Sequence, residues 1–575
     1  MKEEYELLYQ KNKKILNVVT LIKIILFVLF LVFFITYFTS KNLTNLYLSL
    51  AFLVVFIAFI IYTNKYYLDK KYLDNILLSY AKHEARKKNN TVNQKGFFDK
   101  GTEFKRIFSK SSLRDKYLLE DIDVFGKNSL YEHLSSAKSV LGRYKLADSL
   151  CHGSREVYQN KENIYNLGKS EDLIPLEASL AFNKVTQDLD SETYVSCLCQ
   201  KYTPKPKVLY LGLILIEAVL ILFIVLACIQ LINPLFILIP LIINIFYATL
   251  FNDPLNTLNI TSLYNSICEN QNVLKYLARL DLTKLNPKYQ KEYFLTSYKK
   301  LLKLSRLWQV LSYKKNIIFK VIFNGILGFE GFFQLLFNKF LLKEEELKEV
   351  LDDIANLELI ASYANLVYDY DATIGEEGSK LEFIDLSNIL VKDCVSNSFT
   401  LTKGTIITGS NMSGKTTFLR TIGEAILLFN ACGLVPAASF KSPHYMMYTA
   451  LRVKDDLAAG ISSFYAEIEK IREMVTDTTK FKKLALIDEI FKGTNTLDRV
   501  YGAKMLIKKL ESLGYDFIIS THDFELCEIP TIINYHFAEQ YTMDYKEISF
   551  DYKIKEGKSV STNAIFLLKK SGIID

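Results

Sequence analysis

The chain has 575 residues, a formal net charge of +7, and hydrophobic residues at 50% of its positions. That length argues against one compact core and suggests three or four structural units. So modest a positive charge does not by itself argue for a nucleic-acid partner.

The apolar residues concentrate in four runs, and each is roughly the 17 to 25 residues that a spanning helix needs. The first, Ile15 to Phe38, carries Lys23 as its single charge, and the second runs from Leu46 to Tyr62. A cleaved signal peptide is disfavoured, because the first run is long, lacks a small-residue cleavage pattern and is followed at once by another apolar segment. The third and fourth runs, Val208 to Ile232 and Leu235 to Phe251, are separated by Asn233 and Pro234, which suit a tight turn. The expectation is two transmembrane hairpins. Lysines cluster at Lys11, Lys13 and Lys14, at Lys65, Lys70 and Lys71, and at Lys201, Lys205 and Lys207, whereas the intervening turns hold only Lys41. By the positive-inside rule both termini are expected to be cytoplasmic.

The eight cysteines show no zinc-like spacing and read as reduced thiols. The close pair Cys197 and Cys199 stands just before the third apolar run, where acylation is the functional alternative. Residues 64–117 read as a basic cytoplasmic linker, with anionic lipid or DNA phosphate as alternatives to plain solvation. From Leu118 apolar residues recur at helical spacing, as in Leu130, Leu134, Leu141, Leu146 and Leu150. Residues 118–207 and 252–370 are therefore expected to form a helical core that the second hairpin, residues 208–251, interrupts. Within it the aromatic-rich stretch Ile317 to Phe340 reads as a core helix, with a membrane-surface helix as the alternative. From about residue 371 short β-rich runs alternate with helices, the pattern of an α/β domain with a largely parallel sheet.

That domain carries the chemistry. In "GTIITGSNMSGKTTFLRTIG" a strand is followed by glycine, four residues, glycine, lysine and threonine, and then by an apolar-periodic helix. Backbone N–H groups of Gly409, Ser410, Asn411, Met412, Ser413 and Gly414 at a helix N-terminus suit phosphate oxygens. Lys415 suits the terminal phosphates, the Thr416 hydroxyl suits Mg2+, and Thr417 completes the first turn. In "KKLALIDEIFKGTNT" a buried strand delivers Asp488 to Mg2+ or its water, and Glu489 to the water that attacks. "YDFIISTHDFEL" brings His522 to the same edge, where an imidazole suits the terminal phosphate; taken alone, a histidine is more often structural.

Together with "DDLAAGISSFYAEI" these segments resemble the MutS family of DNA mismatch-repair ATPases, a branch of the ABC-type P-loop ATPases. The resemblance covers Leu386 to Ile573 well. It implies ATP with Mg2+ at a site shared by two subunits of a homodimer, each completing its partner's site with a signature serine, here Ser462. It also implies that Asn397 stands just before the phosphate-loop strand and that Tyr552 lies near the adenine. "DIDVFGKNSLYEHLSSAKSVLGRYKLADSL" is similar to the start of the family's core and lever region, with Ser139 and Gly142 where threonine and glycine are common. "LELIASYANL" is similar to its end. No mismatch-reading segment is recognisable, apolar runs standing in its place, and Lys492 and Asn495 replace residues usual after the acidic strand. The implied function is a membrane-tethered ATPase acting on DNA by shape or backbone. The alternatives are an ABC-like machine that moves something in or across the bilayer, for which Glu217 and Asn244 are polar groups inside the third and fourth runs, and an ATP-switched scaffold.

Overall fold

The computed structural model of the protein describes residues 1–88, 111–183, 191–203, 205–251, 259–313, 319, 322, 329–402, 404–410, 412–452, 463–491, 494–541 and 548–558. Asn411, Ser462, Lys492 and most of the signature segment fall outside these residues. The chain divides into two compact units: Met1–Tyr80 with Lys138–Leu141 and Ile174–Ala355, and Ala81–Ala137 with Gly142–Leu173 and Asn356–Asp575. These units cut across the boundaries read from the sequence, because the helical segments on either side of the second hairpin are divided between them.

In the first unit, α1 (Lys2–Ser40) and α2 (Leu43–Lys87) form an antiparallel pair. Lys41 turns the chain in a left-handed conformation, φ 51°, and its N–H closes the last turn of α1 on Tyr37 at 2.8 Å. Phe33 stacks on Phe52, with ring centroids 5.5 Å apart. The second hairpin, α3 (Lys207–Cys228) and α4 (Leu238–Ala248), turns where expected: the Asn233 side chain accepts the Leu235 N–H at 3.0 Å, and Pro234 opens the next helical turn. Among the described residues, four helices are long and apolar enough to cross a membrane by length and composition, and their apolar windows are scarcely buried.

Residues 64–80, expected as linker, continue α2 without a break. Leu73, Ile76 and Ser79 recur at a spacing that buries one face of this helix. Tyr276 stacks between Tyr72 at 4.4 Å and Phe182 at 4.8 Å, and Asp69 accepts hydrogen bonds from Tyr276 and Arg279. Long-range packing makes this segment a strut. The unit also contains α5 (Phe329–Phe340), the described part of the aromatic-rich stretch.

In the second unit the end of α2 is pinned by charge. His83 lies 2.8 Å from Asp369 near the end of α6 (Glu344–Tyr370), and Arg86 bonds both Asp369 and the Ser135 carbonyl. All three side chains are buried, so the Asp369 carboxylate and the Arg86 guanidinium depend on each other, with His83 as a further hydrogen-bond partner of Asp369. The remainder of the supposed linker, where described, is also structured: Ser112 and Asp115 form a capping box on the helix Leu113–Asp121. Gly142 lies close to the buried Glu358: a Cβ there would stand 1.9 Å from its Oε2, so any larger residue would push that carboxylate aside.

The α/β domain holds twelve described strands: β1 (Thr373–Ile374), β2 (Glu376–Glu377), β3 (Glu382–Leu386), β4 (Asn397–Thr400), β5 (Thr405–Thr408), β6 (Leu434–Val435), β7 (Ser439–Ser442), β8 (Met446–Ala450), β9 (Lys483–Asp488), β10 (Asp516–Ser520), β11 (Ile533–Tyr541) and β12 (Ile548–Glu556). The main sheet has the order β12-β11-β5-β10-β9-β8 and is parallel except for β12, as the alternating pattern predicted. A four-stranded sheet, β2-β7-β3-β4, accompanies it. Ile406, Ala485, Ile487, Phe517 and Ile519 are buried with side chains of the flanking helices, as a parallel sheet covered by helices requires.

Candidate functional site

Register brings the chemistry together. Ser520 of β10 pairs with Ile407 of β5 on one side and with Asp488 of β9 on the other, so three strands finish level at one edge. From β5 the chain passes through Gly409 at φ 146°, Met412 at φ 73° and Gly414 at φ 106° before α7 (Lys415–Cys432) begins. These left-handed values favour glycine, and at Gly409 a Cβ would come within 2.8 Å of the Phe537 carbonyl oxygen. The loop therefore keeps its backbone bare at a helix N-terminus.

Lys415 Nζ is buried and donates to the Gly409 and Ser410 carbonyls at 2.7 and 2.8 Å, with His522 Nε2 at 3.4 Å. The Thr416 hydroxyl donates to Asp488 Oδ2 at 2.6 Å, and Ser520 donates to the other Asp488 oxygen. Glu489 follows at φ 53°, its N–H bonded to the Ser520 carbonyl, and its carboxylate stands 3.1 Å from His522 Nε2. Such a left-handed non-glycine residue carries backbone strain of order 1–3 kcal/mol.

A cavity of about 480 Å³ opens beside the loop, lined by Met412, Lys415, Thr416, Thr417, Glu489 and Tyr552 among others. Tyr552 Cδ1 would lie 3.3 Å from a Cβ at Gly414, and Asn397 brackets it by donating to the Tyr552 carbonyl and accepting the Ile554 N–H. Asn397 and Tyr552, paired only by resemblance in the sequence, are neighbours. Ser413 is buried and donates to the Ser410 carbonyl at 2.9 Å, which makes it a brace of the loop. Asn495, a departure from the family pattern, caps the helix α9 (Thr496–Ser512) by accepting the Asp498 N–H.

The residues fit a nucleotide phosphate with Mg2+. The bare cradle supplies N–H groups, Lys415 supplies a buried cation, and a hydroxyl and a carboxylate already in contact make a hard-oxygen pair of the kind Mg2+ accepts. Deeper in α7, Glu424 is fully enclosed; burial chiefly raises its pKa to about 8, although Asn388 donates to it at 3.2 Å.

Several contributors went unseen in the sequence. Ser520 is one. Asp121 and Asp123 are others: Lys470 of α8 (Ser463–Thr476) holds both Asp121 oxygens at 3.0 and 3.2 Å, the Leu451 N–H donates to the same carboxylate, and Arg452 grips Asp123 bidentately at 2.5 and 2.6 Å. Arg420 of α7 approaches Asp123 at 3.5 Å. The described residues that flank the signature segment are thus tied to the chain following the helix Leu113–Asp121. Two acids spaced by one residue gave no signal of partners more than three hundred positions away.

An α/β domain that delivers a glycine-rich turn, two carboxylates and an imidazole to one edge of a parallel sheet has a layout that suits a phosphate. Residues 405–573 match the family model of MutS domain V. The chain is similar to "DNA mismatch repair protein MutS" of Thermotoga neapolitana, at 31% identity over 196 residues that make up 32% of this chain and 24% of that protein. It is also similar to the proteins of the same designation from Thermotoga petrophila and Thermotoga maritima, each at 28% identity over 248 residues, 40% of this chain and 30% of theirs. The likeness to the MutS family thus lies in residues 405–573, and these alignments span less than a third of each relative's length.

Proposed function

We propose that this protein is a membrane-tethered ATPase of the MutS kind that acts on DNA. The observation that carries the reading is the convergence of Lys415, Thr416, Asp488, Glu489 and His522 around one loop. Bound ATP with Mg2+ supplies the phosphoryl group and the metal charge. Loop N–H groups and Lys415 would hold the terminal phosphates, Thr416 and Asp488 would hold the metal, and Tyr552 would lie against the base. Glu489 orients the attacking water, and His522, 3.1 Å away, fixes the rotamer of that carboxylate. By family resemblance Ser462 of a second copy completes the site, which makes the working form a homodimer.

DNA as the partner is supported by the designation of the relatives, and a bilayer by the four apolar helices. With the lysine clusters on the proposed inner face, both termini and the ATPase domain are cytoplasmic. The deciding experiment is ATP turnover of the detergent-solubilised full chain, with and without homoduplex, branched and mismatched DNA at low salt. Stimulation by any of these supports the reading; turnover abolished in Lys415→Ala yet indifferent to all three removes DNA from it. A second reading, movement of a solute in or across the bilayer, is favoured by Asn244, which donates to Glu217 at 2.5 Å inside the second hairpin. ATP-dependent flux in proteoliposomes would support that alternative.

A further inference from the structure

Helix α5 is apolar on both faces and turns two polar side chains inward among Phe333 and Phe337. Glu330 and Gln334 are 3% and 2% exposed, whereas Leu335, Leu336 and Phe340 are 49%, 51% and 53% exposed, with Phe332 on the same side. A helix on a water-facing surface turns its charged and amide groups outward. Here they are held inward: Gln334 donates to the Phe251 carbonyl and to Glu330. Gly331 lets α5 lie close against α3, since a Cβ there would stand 2.6 Å from Leu213 and 3.1 Å from Phe251. The outward stripe therefore sits beside the ends of the second hairpin, where Val208, Leu211, Ile214 and Leu215 of α3 are also exposed and apolar.

Charge at the end of α5 points the same way. Asn338 bonds both the N–H and the carbonyl of Tyr202, placing the C-terminal end of the helix near the chain that enters α3. Lys339 and Lys343 are exposed at this end, and Lys207 is exposed at the start of α3. An apolar stripe beside exposed lysines is the complement of acyl chains beneath anionic headgroups.

We propose that α5 is a lipid-facing helix, embedded at the bilayer interface alongside the second hairpin with Phe332, Leu335, Leu336 and Phe340 among the acyl chains. The proposal rests on the membrane reading of the hairpins given above. It gives that hairpin a third apolar element, with one face of α5 on lipid while Phe333 and Phe337 stay in the core. The polar side chains directed inward serve as the hydrogen-bonding seam that holds α5 to the turn Thr249–Phe251 that follows α4.

The chain's single tryptophan, Trp308, is fully buried, so a Trp308→Phe background allows site-by-site emission measurements. Full-length protein carrying Phe332→Trp, Leu336→Trp or, as the hairpin control, Leu215→Trp is reconstituted in phosphatidylcholine–phosphatidylglycerol vesicles with brominated acyl chains. The expected result is a loss of emission at positions 332 and 336 comparable with that at 215. Quenching at 215 alone overturns the proposal: red-shifted emission at 332 and 336 would assign the stripe to water, and blue-shifted emission to a protein cover such as a second copy. No quenching at any position would remove the membrane reading itself. If Trp308→Phe prevents folding, the same substitutions with Trp308 retained read as increments over the parent.

Discussion

Thr416 and Asp488 meet at 2.6 Å, although one begins a helix and the other ends a strand more than seventy positions later. The parallel register of β5, β10 and β9 creates that contact, and it places the hydroxyl and the carboxylate side by side, where both could hold one Mg2+. Asp488→Asn retains the shape and loses the charge. The expected outcome is a Mg2+ requirement raised at least about tenfold, since ligand or ligand-orienting changes commonly cost 10- to 100-fold in metal affinity. Turnover titrated against Mg2+ at saturating ATP reads this, and an unchanged midpoint removes Asp488 from the metal.

Glu489 stands beside His522 at 3.1 Å and borders the same cavity as Lys415. Glu489→Gln is expected to bind nucleotide normally and to slow turnover by about 10²- to 10⁴-fold, the range for loss of a general base. Lys415→Ala is expected to fail at binding. Fluorescent-nucleotide titration beside steady-state turnover separates the two, and a dimer trapped by ATP in the Glu489 variant would show on size exclusion.

Lys470 and Asp121 form a buried pair near the signature segment, with side chains 9% and 1% exposed. Removing one partner, as in Lys470→Met, leaves an uncompensated carboxylate and is expected to cost about 3–5 kcal/mol. Lys470→Met with Asp121→Leu should recover much of that stability. The double variant should still bind ATP while losing any response of turnover to DNA. Equal DNA stimulation in the double variant and the parent would show that the tie is only structural.

Glu424 gives a pH dependence with a definite sign. Its carboxyl titrates near 4.5 when unfolded and at about 8 when folded, chiefly because of burial, so the native state binds the extra proton between those values. Below 4.5 both states are protonated and there is no penalty; stability falls as pH rises through the window, and the loss is complete above 8. Glu424→Gln abolishes this term. Its melting temperature should match the parent near pH 4 and exceed it increasingly toward pH 8.5, with a difference on the order of 3 kcal/mol at neutral pH. A constant difference across the range would show that Glu424 is ionised in the fold.

The local signals were legible because each is written in contiguous residues. Four long apolar runs suffice for membrane-competent helices, whose internal hydrogen bonds need no distant partner. The glycine pattern, the strand ending in Asp488 and Glu489, and the strand before His522 each announced their edge of the sheet, and the sheet order then brought them together. Over the described residues the expected linker is largely helical, because lysine content does not distinguish a solvated segment from a helix with one buried face. The buried face of α2 depends on Tyr276, Phe182 and Asp369, which lie far along the chain.

By itself the sequence determined which segments are apolar enough for lipid, that strands and helices alternate toward the C-terminal part, and where the glycine-rich turn and the acid-ended strand lie, since periodicity and short motifs encode these through neighbouring residues. Only the tertiary structure decided that α2 runs on past its apolar window, that Asp121 and Asp123 anchor the chain around the signature segment, and that α5 turns its amide inward and its leucines outward. Those outcomes depend on which surfaces meet, and burial is a property of the partner as much as of the residue.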